Sequence, residues 1–244
     1  MSFRVSRLLV FATVLLVTGI AAQAQSHEVN AFSVRVGDKT IAIPAPAGFE
    51  EATSKFLQIK ARFTATEAPE NEVLAAHLSV EDCNRLRSKE NALFEHYTKV
   101  SVLREARNLS ISEPMFASIV ADFRKNGSTY FDMNSAKMQD MFKQWDRELS
   151  KLESKEMKVG LDKPQNLGEF DNRPNVFSVL LRMQLSFESG GEQVTVPMLA
   201  GVTYLKVKDK VIFVYTYRRY RSQTDAETLR DFSIKWNNSI LAAN

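Results

Sequence analysis

Residues 202–207 and 211–217 are enriched in β-branched and aromatic side chains, and they flank Lys208-Asp209-Lys210, a segment short enough to require a tight turn. Such side chains fit a pleated, half-buried surface, so the two segments predict adjacent antiparallel strands. The chain must therefore build a sheet. Thr224-Asp225-Ala226-Glu227 then has the form of a capping box, with Thr224 accepting from the backbone and Glu227 reaching back. Leu229, Phe232, Trp236 and Ile240 follow at helical spacing and give the closing helix one apolar stripe.

Upstream, Phe32-Ser33-Val34-Arg35-Val36 alternates, Gly37-Asp38-Lys39 offers turn chemistry and Thr40-Ile41-Ala42-Ile43 resumes the pattern, which predicts a hairpin stopped by Pro44 and Pro46. Phe56, Ile59 and Phe63 predict a short helix over 54–63, capped by Thr53 or Ser54. Residues 73–80 and 97–103 read as strands, and the charged stretch 81–93 as helix or loop. A helix capped by Ser112, with Pro114 in its first turn, should bury Met115, Phe116, Ile119, Val120 and Phe123 and end at Asn126-Gly127. Over 135–156, Met138, Met141, Phe142, Trp145, Leu149 and Leu152 recur helically with charges opposite.

Residues 160–174 are rich in Gly, Pro, Asn and Asp and mark the place where the domain could divide into lobes. Residues 176–188 read as a strand, Gly190-Gly191 as a turn, and 194–197 as further β structure. Strands in antiparallel order, interrupted by helices that do not alternate with them one for one, predict an α+β fold. It should be a mainly antiparallel sheet packed against several helices, in one domain over 25–244.

The first 24 residues carry an address. Arg4 and Arg7 precede an uncharged apolar stretch over 8–22, and Ala22-Gln23-Ala24 matches the small-x-small pattern of signal cleavage. The stretch is short for the roughly 20 apolar residues that span a bilayer, so 1–24 reads as a cleavable signal peptide and the product as periplasmic or secreted, without membrane insertion. Cleavage lowers Lys+Arg from 32 to 30 against 29 Asp+Glu, leaving a net charge of +1. That balance argues against nucleic-acid binding, which needs a basic face to displace counterions. Cys83 is the single cysteine, so no intramolecular disulfide forms and stability must come from apolar burial.

The ending Tyr204-Leu-Lys-Val-Lys-Asp-Lys-Val-Ile-Phe-Val-Tyr215, followed by a helix with Trp236 and Ile240, resembles uncharacterised exported bacterial proteins. Together with Ile43-Pro-Ala-Pro-Ala-Gly-Phe49 it is similar to the PsbP-like sandwich. PsbP-like proteins act mostly as assembly or accessory factors, so the resemblance implies a non-catalytic role. It carries over no functional residue and implies no cofactor.

The chain has no His-Glu-x-x-His, Cys-x-x-Cys, Gly-x-Ser-x-Gly, Ser-x-x-Lys or glycine-rich phosphate loop. An uncharacterised envelope hydrolase stays open as an alternative, because carboxylate pairs leave no local signature. Cys83 lies near His77 and His96 in sequence, the minimum for a thiol–imidazole pair, but a half-buried thiol is the simpler reading. His77, within Leu74-Ala-Ala-His-Leu78, reads as a strand residue turned away from the core. Cleavage after Ala24 would place His27 third in the mature chain, where a free amine, two amide nitrogens and the imidazole can hold Cu(II) in a square plane, a copper-handling alternative. Met115, Met133, Met138, Met141 and Met157 read as core packing rather than Cu(I) ligands. Asn108, Asn126 and Asn237 begin Asn-x-Ser sequons that read as chance.

The most function-like segment is Tyr215-Thr-Tyr-Arg-Arg-Tyr-Arg221. Arginines and tyrosines at a strand end can hold an anionic group, with guanidinium supplying forked donors. Basic residues that guard a strand against edge pairing are the plainer reading. Alternation would place Arg219 and Arg221 with Tyr215 and Tyr217 on one face, and Arg218 with Tyr220 on the other. The sequence therefore predicts an exported binding or accessory protein. Its partner is a protein or small anionic ligand, and its nameable surface is Arg218, Arg219, Arg221, Tyr217 and Tyr220.

Overall fold

The computed structural model describes residues 32–90, 94–130 and 132–244. Residues 1–24, read as a signal peptide, and His27 lie outside the described residues. Strands β1 (Phe32–Val36) and β2 (Lys39–Ile43) form the expected hairpin as a small sheet of their own. Gly37 turns it at φ +59°, and a Cβ there would sit 2.6 Å from the Arg107 carbonyl oxygen, so both conformation and space select glycine.

The main sheet has eight strands. Its order is β3 (Phe49–Glu51), β4 (Asn71–Ser79), β5 (His96–Leu103), β10 (Lys210–Arg219), β9 (Glu192–Val207), β8 (Val176–Ser189) and β6 (Lys158–Leu161), with β7 (Gln165–Arg173) also on β8. Every pairing described is antiparallel. Five helices accompany it: α1 (Leu57–Ala65), α2 (Val80–Arg87), α3 (Glu113–Tyr130), α4 (Ala136–Glu153) and α5 (Gln223–Ala242). This is an α+β fold.

Helix α5 covers one face. Its Trp236 and Ile240 are buried with Val100, Leu205, Ile212 and Val214, and the hairpin residues Ile41 and Ile43 close the same cluster. Gly201 lets the helix come close, since a Cβ there would meet Thr216 Oγ1 at 2.4 Å and Ser233 Oγ at 2.9 Å. On the other face, Phe116, Val120 and Phe123 of α3 pack on Phe177, Val179 and Leu181 of β8. Ile59 of α1 joins Leu78 and Cys83, while Leu149 of α4 meets Ala65 of α1 and Val159 of β6. Helix α1 also packs on β4. In a flat sheet β4 and β6 would stand about 24 Å apart, whereas packed helices sit about 8–10 Å apart. The sheet therefore curls toward this side, and α1 with α4 bridges its two ends.

Several expected boundaries move. Helix α1 starts at Leu57, because Glu51 takes the Thr53 and Ser54 hydroxyls that were expected to cap it and also accepts from their backbone N–H groups at 2.7 and 2.9 Å. Ser112 does cap α3, accepting from the Met115 N–H at 3.4 Å, but Met115 is 45 % exposed. Helix α3 runs through Asn126-Gly127 to Tyr130: Asn126 Nδ2 donates back to Asp122 at 2.7 Å, an i,i+4 bond that favours helix. Ser135 caps α4, which stops at Glu153 when Ser154 turns left-handed, and Leu152 faces solvent. Residues 160–174, read as a possible break between lobes, supply the end of β6 and all of β7, both laid on β8.

Strand β9 runs unbroken through Pro197. That residue lies one step beyond the last β9–β10 pair, Met198 with Arg219, so its missing N–H has no strand to serve. Its carbonyl accepts from the Tyr220 N–H at 2.8 Å. Helix α5 begins two residues early. Asp225, not Glu227, reaches back, accepting from the backbone N–H groups of Arg221 at 2.9 Å and Ser222 at 3.0 Å.

Candidate functional site

The C-terminal end of β10 carries the arginines that the sequence singles out. Arg219 Nη1 donates to Glu95 Oε1 at 2.9 Å, and Arg221 Nη2 donates to Glu95 Oε2, so the two guanidiniums hold one carboxylate between them. The Arg219 N–H also reaches the Glu95 carbonyl at 2.7 Å. Arg218 turns to the other side, where its Nε donates to Asp225 Oδ1 of α5 at 2.8 Å. Tyr220 lies under Arg182, whose guanidinium carbon is 4.4 Å from the ring centroid. The arginines beside Glu95 hold its carboxyl below the usual carboxylate range, Arg221 most of all and Arg219 next. Arg218 does the same for Asp225.

Two arginine groups thus flank this strand end on opposite faces of the sheet: Arg219 and Arg221 around Glu95, and Arg218 with Arg182 beside Asp225. Arg182 has no carboxylate partner among the described residues. Each group keeps an excess of one positive charge.

Tyr217 connects the Arg219 and Arg221 group to residues the sequence does not single out. It is paired across the ladder with Tyr97 of β5, and the two rings stack at 4.7 Å with 20° between planes. Tyr215 continues the stack at 6.2 Å and 17° and is paired with Lys99, whose ammonium sits 4.8 Å from the Tyr215 centroid. Lys99 Nζ meets Glu67 Oε2 at 2.7 Å, and this ion pair is buried. Desolvation pulls the Lys99 ammonium down, but the Glu67 carboxylate with the surrounding phenols raises it overall. Burial holds the hydroxyls of Tyr97, Tyr215 and Tyr217 above the ordinary phenol range.

These residues sit on central strands, yet the three tyrosines remain only half-buried. Their β10 neighbours facing α5, Val214 and Thr216, are 1 % exposed. The difference follows from the helices. Helix α3 packs over β8 and β9 and α1 over β4, and the stack occupies the seam between them, with Phe63 of α1 at 5.6 Å from Tyr97. The signal that reveals Glu95, Tyr97 and Lys99 is the β5–β10 register, which the sequence does not contain, and Glu67 follows only through its ion pair with Lys99.

The thiol and imidazoles do not converge. His77 is fully buried, a correction to its expected outward orientation: its Nδ1 lies 2.9 Å from Thr98 Oγ1 and its ring packs edge-on to Trp236 at 5.3 Å. His96 packs against Phe49 and Phe232. Burial pushes both imidazoles down to about 4 and the Cys83 thiol up to about 11. Cys83 Sγ faces the Leu78 carbonyl at 3.9 Å. Among the described residues, no group of three or more His, Cys, Asp or Glu is arranged to hold a metal ion, and no helix is long and apolar enough to cross a membrane. An open groove of about 470 Å3 lies at the opposite end of the sheet, between Pro174, the Lys206–Asp209 turn and Asn244.

No family model and no curated protein matches the chain. Among solved structures it is similar to the Ran-binding protein Mog1p of Saccharomyces cerevisiae, at 12% identity and a TM-score of 0.32, covering 87% of this chain and 93% of that chain. The likeness is weak and transfers no residue.

Proposed function

We propose that this chain is an exported, non-catalytic binding or accessory protein, periplasmic or secreted, which takes an anionic group at the end of β10. The observation that carries this reading is the convergence of Arg219 and Arg221 on a single surface carboxylate, two guanidiniums against one negative charge. Forked guanidinium donors recognise a carboxylate in two places at once, which fixes orientation as well as charge. The half-buried tyrosines beside them supply an apolar floor. The signal-like residues 1–24 support export, and the hairpin-and-helix ending that resembles the PsbP-like sandwich supports an accessory role.

The test replaces Arg219 and Arg221 together with alanine. Ligand-induced thermal shift with anionic compounds, and cross-linked partner recovery from the native envelope, should both be lost in the variant. Unchanged behaviour in both would retire the site.

A further inference from the structure

We propose that Glu95 is an internal stand-in for the acidic group of the ligand, and that the ligand carries its carboxylate on a flat apolar body covering the solvent-facing rim of the Tyr97–Tyr217 stack. This names the ligand class for the anion-binding reading above and rests on it.

Three observations lead there. Glu95 is gripped through both oxygens, one by each arginine, which is how two guanidiniums would hold a bound carboxylate. The grip is also at the surface: side-chain exposure is 44 % for Glu95, 39 % for Arg219 and 54 % for Arg221. Ion pairs this exposed contribute about 0–1 kcal/mol, so an outside carboxylate can take the place of Glu95 at little cost. The Lys99–Glu67 pair, at 9 % and 7 %, is not available for such exchange.

Spacing gives the second half of the proposal. Glu95 lies two residues before Tyr97, and Arg219 two residues after its ladder partner Tyr217. Two residues of strand cover about 7 Å, so the acid-binding point and the aromatic rim are separated by roughly the length of a small aryl-alkanoic acid. On the face that carries the tyrosine stack, Arg219 and Arg221 outnumber Glu95 by one, which matches a monoanion that arrives without a counter-charge of its own.

The probe is 3-phenylpropionate, with acetate and inorganic phosphate as comparators, titrated by NMR into wild type, Glu95→Gln and Glu105→Gln. Glu105 is an exposed carboxylate elsewhere, so its variant matches the change in net charge. Glu95→Gln should bind 3-phenylpropionate about two- to fivefold more tightly than either other protein, bind acetate more weakly than 3-phenylpropionate, and move the signals of Tyr97 and Tyr217. Equal affinity in wild type and Glu95→Gln would overturn the stand-in while leaving the anion site intact, provided Arg219→Ala/Arg221→Ala abolishes that binding. Phosphate binding more tightly than 3-phenylpropionate would overturn the ligand class. Failure of all three anions to bind either wild type or Glu95→Gln would sink both the stand-in and the reading beneath it.

Discussion

Trp236 of α5 donates its indole N–H to the carbonyl of Pro44 at 2.8 Å, tying the closing helix to the residue that ends the first hairpin. The ring is 2 % exposed. Trp236→Phe removes the donor and leaves the acceptor unpaired, which should cost about 1–3 kcal/mol. Trp236→Ala adds a cavity and should cost about 3–5 kcal/mol. Urea unfolding reads both as a lower midpoint at unchanged slope.

Lys99 and Glu67 should behave as a unit. Lys99→Met alone strands a carboxylate in the seam, at a cost of about 3–5 kcal/mol. Lys99→Met with Glu67→Gln should recover most of that loss, because the amide oxygen can still accept from Asn71 Nδ2, which donates to Glu67 Oε1 at 2.9 Å in the parent protein. A double-mutant cycle by chemical denaturation measures the coupling.

Stability should fall in mild acid. Burial holds His77 and His96 near 4, against an ordinary value of 6.5, so between those values the unfolded chain binds protons that the folded chain refuses. Unfolding therefore becomes easier as pH drops from 6.5 to 4, by on the order of a few kcal/mol for the pair, and stability is fully present above 6.5. Thermal midpoints at pH 7.5 and 4.5 test this. His96→Phe keeps a ring between Phe49 and Phe232 and should shrink the drop.

Cys83 should be silent in the native state. It is fully buried and its thiol is pushed up to about 11, so almost no thiolate exists at neutral pH. A thiol reagent monitored by absorbance should label the protein only in denaturant, at one equivalent per chain.

The parts of this fold that repeat locally are legible from residue order. The β9–β10 hairpin and the stripe Leu229, Trp236, Ile240 lie where their periods predict. Capping is harder, because Ser222-x-x-Asp225 and Thr224-x-x-Glu227 both satisfy the pattern, and it is Asp225 that Arg218 holds. His77 misleads because both faces of β4 are covered and a bulge between Val73 and Ala75 resets the alternation. Arg218, Arg219 and Arg221 stand out by composition. Glu95 does not, because it lies 124 positions from Arg219 and only the strand register brings the two together.

The tie between Trp236 and Pro44 has a second strand to it. Asn244 Nδ2 donates to the Ala42 carbonyl at 2.8 Å while its Oδ1 accepts from the Ala42 N–H at 2.9 Å. A polypeptide made from its amino end thus has the strands of its first hairpin before α5, and Ile41 and Ile43 lack their helix cover until α5 follows. During that interval the greasy side of those strands is open to chaperones and to aggregation alike, and the clasp shuts only when α5 docks.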